Sequence, residues 1–357
     1  MNTPQSQDTA GRAVPSVPLS VLEVGATDGR LPAAQVVREI ADVARVADEC
    51  GYHRFWVAEH HGSPDVVSSA PAVLIAHLAA RTRRIRVGSG GVMLPHHAPY
   101  VVAEQFATLS ALYPGRIDLG VGRSSSTAGT PAYRALLEAA LRRDARATVE
   151  FPALLDELTG FLGPSAPAAP LPDNPSLFLS PRVTAPAGVY VLGAGESSAR
   201  IAAERSLPFV YGHHLGRSKC RPAAVERYRA AFSPGPHGAR PYVIASLNVL
   251  CAENDAEAER LALRAAGHTV VRRTGAAAGQ PLSPTREEFL ARRFLADQQV
   301  VHGGRATVTT AVHQVAGALG ADEIMLVPFD VTATGRGRTL RLLTGRRAPA
   351  SAPVAVR

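Results

Sequence analysis

Four groups of residues in this chain can do chemistry, and each accompanies a short apolar run. Residues 55–58 lead into Glu59-His60-His61. Residues 85–94 contain Gly88-Ser89-Gly90-Gly91. Residues 117–121 lead into Gly122-Arg123, and residues 189–192 lead into Gly193-Ala194-Gly195-Glu196-Ser197-Ser198. A histidine donates a hydrogen bond or moves a proton near neutral pH. On an extended segment alternate residues share a face, so Glu59 and His61 go together and His60 faces away from them. Either histidine could instead cap strand-end carbonyls. A glycine pair inside an apolar strand weakens it unless something approaches the backbone closely; the plainer reading is a bulge. Arg123 offers a planar fork matched to phosphate oxygens, or else an ion pair, for instance with Asp118. A small-residue turn that opens a helix leaves backbone N–H groups free for an anion, or is only a cap.

Three His-His pairs, 60–61, 96–97 and 213–214, raise the question of a metal. Barrel hydrolases ligate with His-x-His, which sets both rings on one strand face. Adjacent histidines diverge, so no metal is expected here. His213 or His214 could line a pocket. Ser68 and Ser69 either reach its mouth or cap the next helix, and Trp56, Met93 and Phe106 read as core.

These groups need a scaffold that brings strand ends together. The apolar runs are strand-length and rich in β-branched residues, and helical patterns at 72–80 and 101–112 separate them. Eight such strands are expected at 18–24, 53–58, 85–93, 117–121, 189–192, 207–211, 242–251 and 322–327. Nearly all are separated by helices, including 33–50 with Gly51 as its C-cap, 198–205, 221–232, 255–266, 287–299, 308–319 and 338–343. Residues 269–286 read as loop-like with possible helical content, and the approach to 308 as loop. The alternation predicts an α/β chain folded as one (β/α)₈ barrel, whose active site lies where the strands end. A proline-dense insertion at about 161–187 precedes the fifth strand, as a surface linker or an excursion over the barrel mouth. The domain is expected at 18–343, with disordered tails at 1–17 and 344–357.

Composition narrows the function. The 357 residues are 46% hydrophobic, enough for a large core. Net charge is +8, but Lys219 is the only lysine and no basic run carries interleaved aromatics, so nucleic acid is not an expected partner. The three cysteines are isolated, without a disulfide or metal-knuckle pattern. With no apolar run of about 18 residues and no signal peptide, a cytoplasmic protein that does not enter membranes is expected.

Taken in order, Glu59-His60-His61, Gly88-Ser-Gly-Gly-Val-Met-Leu-Pro95 and Pro114-Gly-Arg-Ile-Asp-Leu-Gly-Val-Gly-Arg123 resemble the bacterial luciferase-like monooxygenases. The resemblance spans roughly 18–343 and is strongest over 52–123. It implies a TIM barrel, usually a homodimer, that uses reduced FMN and O₂ to oxygenate a small organic substrate by hydroxylation, epoxidation or Baeyer–Villiger insertion. A role in secondary metabolism such as antibiotic biosynthesis fits that class. The resemblance makes His60 the catalytic histidine beside the flavin. It puts Glu59, Gly90, Gly91, Arg123, Gly195, Glu196, Ser197 and Ser198 around the cofactor, with a cis peptide at Gly90–Gly91 and the phosphate at Arg123 and the Gly195–Ser198 turn. Glu196 suits a phosphate only if its side chain turns away. Gly122 stands where true luciferases carry a reactive cysteine, so light emission is not implied. Ser124-Ser125-Ser126-Thr127 replaces the family's usual continuation and alters the substrate side. No G-x-G-x-x-G follows a strand, which fits a flavin reduced by a separate reductase. Other readings are a reduced-deazaflavin hydride-transfer enzyme on the same barrel, a non-catalytic flavin-binding paralogue, and a metal-dependent barrel hydrolase.

Overall fold

A computed structural model describes residues 17–27, 29–63, 65–123, 130–141, 150–162, 178–278 and 282–345. The expected tails before Val17 and beyond residue 345, the Ser124–Thr127 loop and most of the Pro-rich insertion lie outside the described residues.

The strands are β1 (Leu19–Glu23), β2 (Arg54–Val57), β3 (Arg86–Met93), β4 (Ile117–Gly122), β5 (Gly188–Gly193), β6 (Phe209–Tyr211), β7 (Val243–Cys251), β8 (Val301–Gly303) and β9 (Glu323–Pro328). The helices are α1 (Ala33–Cys50), α2 (Pro71–Arg81), α3 (Pro99–Leu112), α4 (Pro131–Ala140), α5 (Phe151–Leu162), α6 (Glu196–Glu204), α7 (Ala223–Ala231), α8 (Asp255–Ala278), α9 (Pro284–Asp297), α10 (Arg305–Leu319) and α11 (Ala333–Thr344). Strands β1 to β7 and β9 pair in parallel, in the order β6-β5-β4-β3-β2-β1-β9-β7, and β6 pairs with β7 to close the ring. The expected (β/α)₈ barrel is therefore what the chain forms.

Two residues per repeat explain its layers. Val21, Phe55, Val57, Val191, Phe209, Ile324 and Leu326 point outward into the core shared with the helices. Their neighbours Leu22, Trp56, Ala58, Tyr190, Val210, Ile244, Met325 and Val327 pack together inside the barrel. Below them, at the strand starts, lies a buried polar layer. Arg54 Nη1 donates to Asp118 Oδ2 (2.8 Å) and Tyr190 Oη (2.8 Å), and its Nε donates to Glu323 Oε1 (3.0 Å). Trp56 Nε1 also donates to Asp118 (3.1 Å), and Tyr242 Oη to Glu323 (2.8 Å). Burial works against the Arg54 cation, but Asp118 and Glu323 outweigh it and hold its pKa above the ordinary value.

Two stretches depart from expectation. Helix α8 runs unbroken to Ala278, where 269–286 read as loop-like with only possible helical content, since its Thr-, Val- and Gly-containing end signals helix weakly in the sequence. Its earlier turns pack on the next helix: Leu261, Ala262 and Ala266 meet Ala291 and Leu295 of α9. Residues 301–303 form β8, a short strand against the end of β7 outside the ring. Among the described residues no helix is long and apolar enough to cross a membrane.

Candidate functional site

A cavity of about 830 Å³ opens at the C-terminal ends of the barrel strands. Its lining includes Glu59 and His60 after β2, Gly90, Gly91 and Met93 of β3, Gly122 and Arg123 after β4, and Ser198 on α6. His214, Lys219 and Ser246 also line it. The parallel barrel thus gathers residues of all four sequence groups, the fourth through Gly193 and Ser198. Trp56 and Phe106 are core as expected, whereas Met93 lies at the cavity wall.

The peptide between Gly90 and Gly91 is cis, as the resemblance implied. A Cβ on Gly91 would stand 2.7 Å from the carbonyl oxygen of Gly120, so β4 leaves no room for a side chain there. At Gly122 the opposite holds: a Cβ would come no nearer than 3.9 Å to Leu192 and would project into open cavity.

Glu59 is buried, and its carboxylate is fully engaged. Oε1 accepts from His61 Nε2 at 2.6 Å and His97 Nε2 at 2.8 Å, and Oε2 accepts from the Met93 amide at 3.1 Å. Burial pushes its pKa up, but these hydrogen bonds, led by His97, outweigh burial and hold it below the ordinary carboxylate value. The group pins the loop that carries His60 to the loop after β3. Sequence spacing paired Glu59 with His61 but missed His97, which arrives from the neighbouring βα connection. Ligand atoms of Glu59, His61 and His97 lie within 4.8 Å of one another, a grouping that a metal could use. The carboxylate is nonetheless satisfied by its three donors alone.

The depressed pKa of Glu59 has a consequence for stability. A carboxyl whose folded pKa lies below its unfolded value of about 4.3 stabilises the fold above that value and ceases to do so as pH falls through the folded pKa. The urea midpoint of the wild type should therefore drop on acidification below about pH 4.3, and that of Glu59→Gln should drop less. Parallel midpoint–pH curves would contradict this role.

His60 is half-buried at the cavity wall, and its Nδ1 is sealed from solvent with no hydrogen-bond partner. Burial lowers its pKa; Glu59 opposes that shift and His61 adds to it. The ring nitrogen left for a bound group is Nε2, which is not sealed and has no protein partner among the described residues. Ser68 serves the loop rather than the mouth: its hydroxyl donates to the Ala58 carbonyl, and its own carbonyl accepts from the His60 amide at 2.8 Å.

Across the cavity, Arg123 spans the start of α6. Nη1 donates to Ser197 Oγ at 3.1 Å and Nη2 to Ser198 Oγ at 3.0 Å. The first-turn amides of this helix have no intrahelical acceptor, and no side chain caps them. Glu196 does turn away, pairing with Arg227 at 3.0 Å on the exposed side. Asp118 is taken by Arg54 and Arg86 at the other end of the barrel, so it does not pair with Arg123. Among the described residues Arg123 has no carboxylate partner, and burial alone lowers its pKa. An uncompensated, half-buried guanidinium facing free helix amides is a donor set for a dianionic phosphate. Together with His60 and the glycine-walled cavity between them, these residues could hold a flavin mononucleotide.

Comparison with known proteins agrees with this geometry. Residues 18–323 match the family of luciferase-like monooxygenases. A luciferase-like monooxygenase of Escherichia coli (strain K12) is 36% identical over 247 residues, 69% of this chain and 70% of that protein. The crystal structure of apo-MsnO8 superposes with a TM-score of 0.77 at 36% identity, covering 92% of this chain and 98% of that one. The oxygenating constituent of 3,6-diketocamphane monooxygenase from Pseudomonas putida, solved with FMN, shares the fold with a TM-score of 0.65 at 19% identity, over 92% of this chain and 96% of that one. The chain belongs to the luciferase-like monooxygenase family and is an oxidoreductase that uses molecular oxygen.

Proposed function

We propose that this protein binds reduced FMN in the cavity at the barrel mouth and oxygenates a small organic substrate there. The observation that carries the choice of FMN is the lone Arg123 guanidinium aimed at the start of α6. Arg123, Ser197, Ser198 and the amides of Gly195 to Ser197 would hold the phosphate. Gly90 and Gly91 would face the ring system, beside His60. Bound reduced flavin supplies the electrons with which O₂ is activated for transfer of one oxygen atom. The chain's own contribution is binding and control. Arg123 neutralises the anion. His60 can accept or return a proton at Nε2, the ring nitrogen that is not sealed. Apolar walls, including Leu22, Leu192 and Val210, keep water from the reacting groups. Reduction would take place on a separate reductase, since the sequence has no dinucleotide fingerprint after a strand, and the active form would be a homodimer in the cytoplasm.

Anaerobic titration with reduced FMN and, separately, with a reduced deazaflavin tests this reading. FMN should bind in the micromolar range or tighter, and the deazaflavin at least about tenfold more weakly, a difference of about 1.4 kcal/mol. Binding of the deazaflavin without FMN would overturn the proposal in favour of hydride transfer on the same barrel.

A further inference from the structure

A second histidine faces the cavity, and its surroundings fix its protonation and tautomer. His214 follows β6 and stands 2.6 Å, through Nδ1, from Ser246 Oγ on β7. The Ser246 hydroxyl proton is spent on the Tyr211 carbonyl at 3.1 Å. The oxygen can then only accept from the imidazole, so Nδ1 carries the hydrogen and Nε2 keeps its lone pair. Nε2 has no protein partner among the described residues and is not among the sealed orphan atoms. The loop is held in place as well: Asn248 Nδ2 donates to the His214 carbonyl at 2.8 Å and to the Gln298 carbonyl at 2.9 Å. Burial, joined by His60, His213 and Lys219 nearby, pushes the His214 pKa down to about 4. The ring is thus neutral throughout the physiological range and accepts hydrogen bonds rather than donating from Nε2.

The walls beside it describe what would be accepted. Phe294 and Phe329 line the cavity with ring centroids 6.3 Å apart, and Leu215 and Val210 add apolar surface. Lys219, the chain's only lysine, is on the rim with no ion pair among the described residues. An aromatic body suits the rings. A donor hydroxyl suits Nε2, and nearby positive charge favours an oxygen that gains negative character as it donates.

We propose that His214 Nε2 is the substrate-recognising acceptor of this cavity and that it selects ring-bearing substrates with a phenolic or enolic hydroxyl. This deepens the monooxygenase reading and rests on the cavity being the substrate pocket. No proton transfer is required of His214; it orients the ring by a hydrogen bond that a methyl ether cannot make.

The test uses the full-length chain, with and without oxidised FMN, and two probes, phenol and anisole, titrated by calorimetry. Wild type should bind phenol about three- to tenfold more tightly than anisole. His214→Phe should abolish the preference, and His214→Gln, which retains an acceptor, should keep part of it. Equal binding of the two probes by wild type, or a preference that survives in His214→Phe, overturns the assignment. Should His214→Phe fail to fold, ¹⁵N spectra of histidine-labelled wild type decide: a hydrogen-free, neutral Nε2 on His214 at pH 7 upholds the proposal, and a protonated Nε2 defeats it. FMN binding without a phenol preference would remove this inference alone. A phenol preference without FMN binding would remove the flavin reading alone.

Discussion

Arg123→Ala should weaken FMN roughly ten- to a hundredfold and leave riboflavin nearly unchanged. The two ligands differ only in the phosphate, so the comparison isolates the contact in question. A hydrogen bond to a charged group contributes about 1.5–3 kcal/mol, which converts to that range of affinity. The structure makes Arg123 a good candidate for the full effect. Its guanidinium is half-buried, lacks a carboxylate partner among the described residues, and is held in orientation by Ser197 and Ser198. The Phe151 ring, 5.9 Å from the guanidinium carbon, supports it from behind. Arg123→Lys should recover part of the loss, since it keeps the charge without the fork. Fluorescence titration of each variant with both flavins checks this. Equal losses for FMN and riboflavin would place the phosphate elsewhere.

The second large effect concerns stability and lies at the opposite end of the barrel. Asp118→Ala should destabilise the fold by about 3–5 kcal/mol, the range for removing one partner of a buried ion pair. Asp118 is completely buried and accepts from Arg54, Arg86 and the Trp56 indole at once. Without it, Arg54 keeps only Glu323 as a charged partner, inside a closed ring of strands that water cannot enter freely. Removing the buried charges together, as Arg54→Met with Asp118→Asn and Glu323→Gln, should cost less than Asp118→Ala alone, because no fully buried charge is then stranded. Urea unfolding followed by circular dichroism reads both. If Asp118→Ala proved as stable as wild type, the polar layer would not be an obligatory part of the barrel.

These two residues show how far the sequence could be read. Strand positions were legible because a parallel barrel buries both strand faces and so writes near-continuous apolar runs, as in β3, β7 and β9. Arg123 and the Gly195–Ser198 turn were legible because a strand-to-helix junction exposes its chemistry locally. Asp118 was not. A charge near a strand start ordinarily reads as surface, and only closure of the ring between β6 and β7 turns it inward beside Arg54 and Glu323. His214 was read as a possible pocket residue and does line the cavity, but the contacts that His97 and His214 make were hidden for a related reason. Their partners, Glu59 and Ser246, lie 38 and 32 residues away on other elements. The argument that adjacent histidines diverge presumes an extended strand, whereas His96, His213 and His214 sit in short 3₁₀ turns, and it does not address a cluster assembled from two pairs and a carboxylate. Helix α8 was cut short because its Thr-, Val- and Gly-containing last turns have weak helical propensity of their own.

The measurement that bears most directly on the central claim is a crystal structure of the protein soaked with FMN. The account predicts the phosphate within hydrogen-bond distance of Arg123 and Ser198, against the first turn of α6, and the ring system over the Gly90–Gly91 peptide beside His60. A phosphate bound away from Arg123, or a ring system outside this cavity, would contradict it.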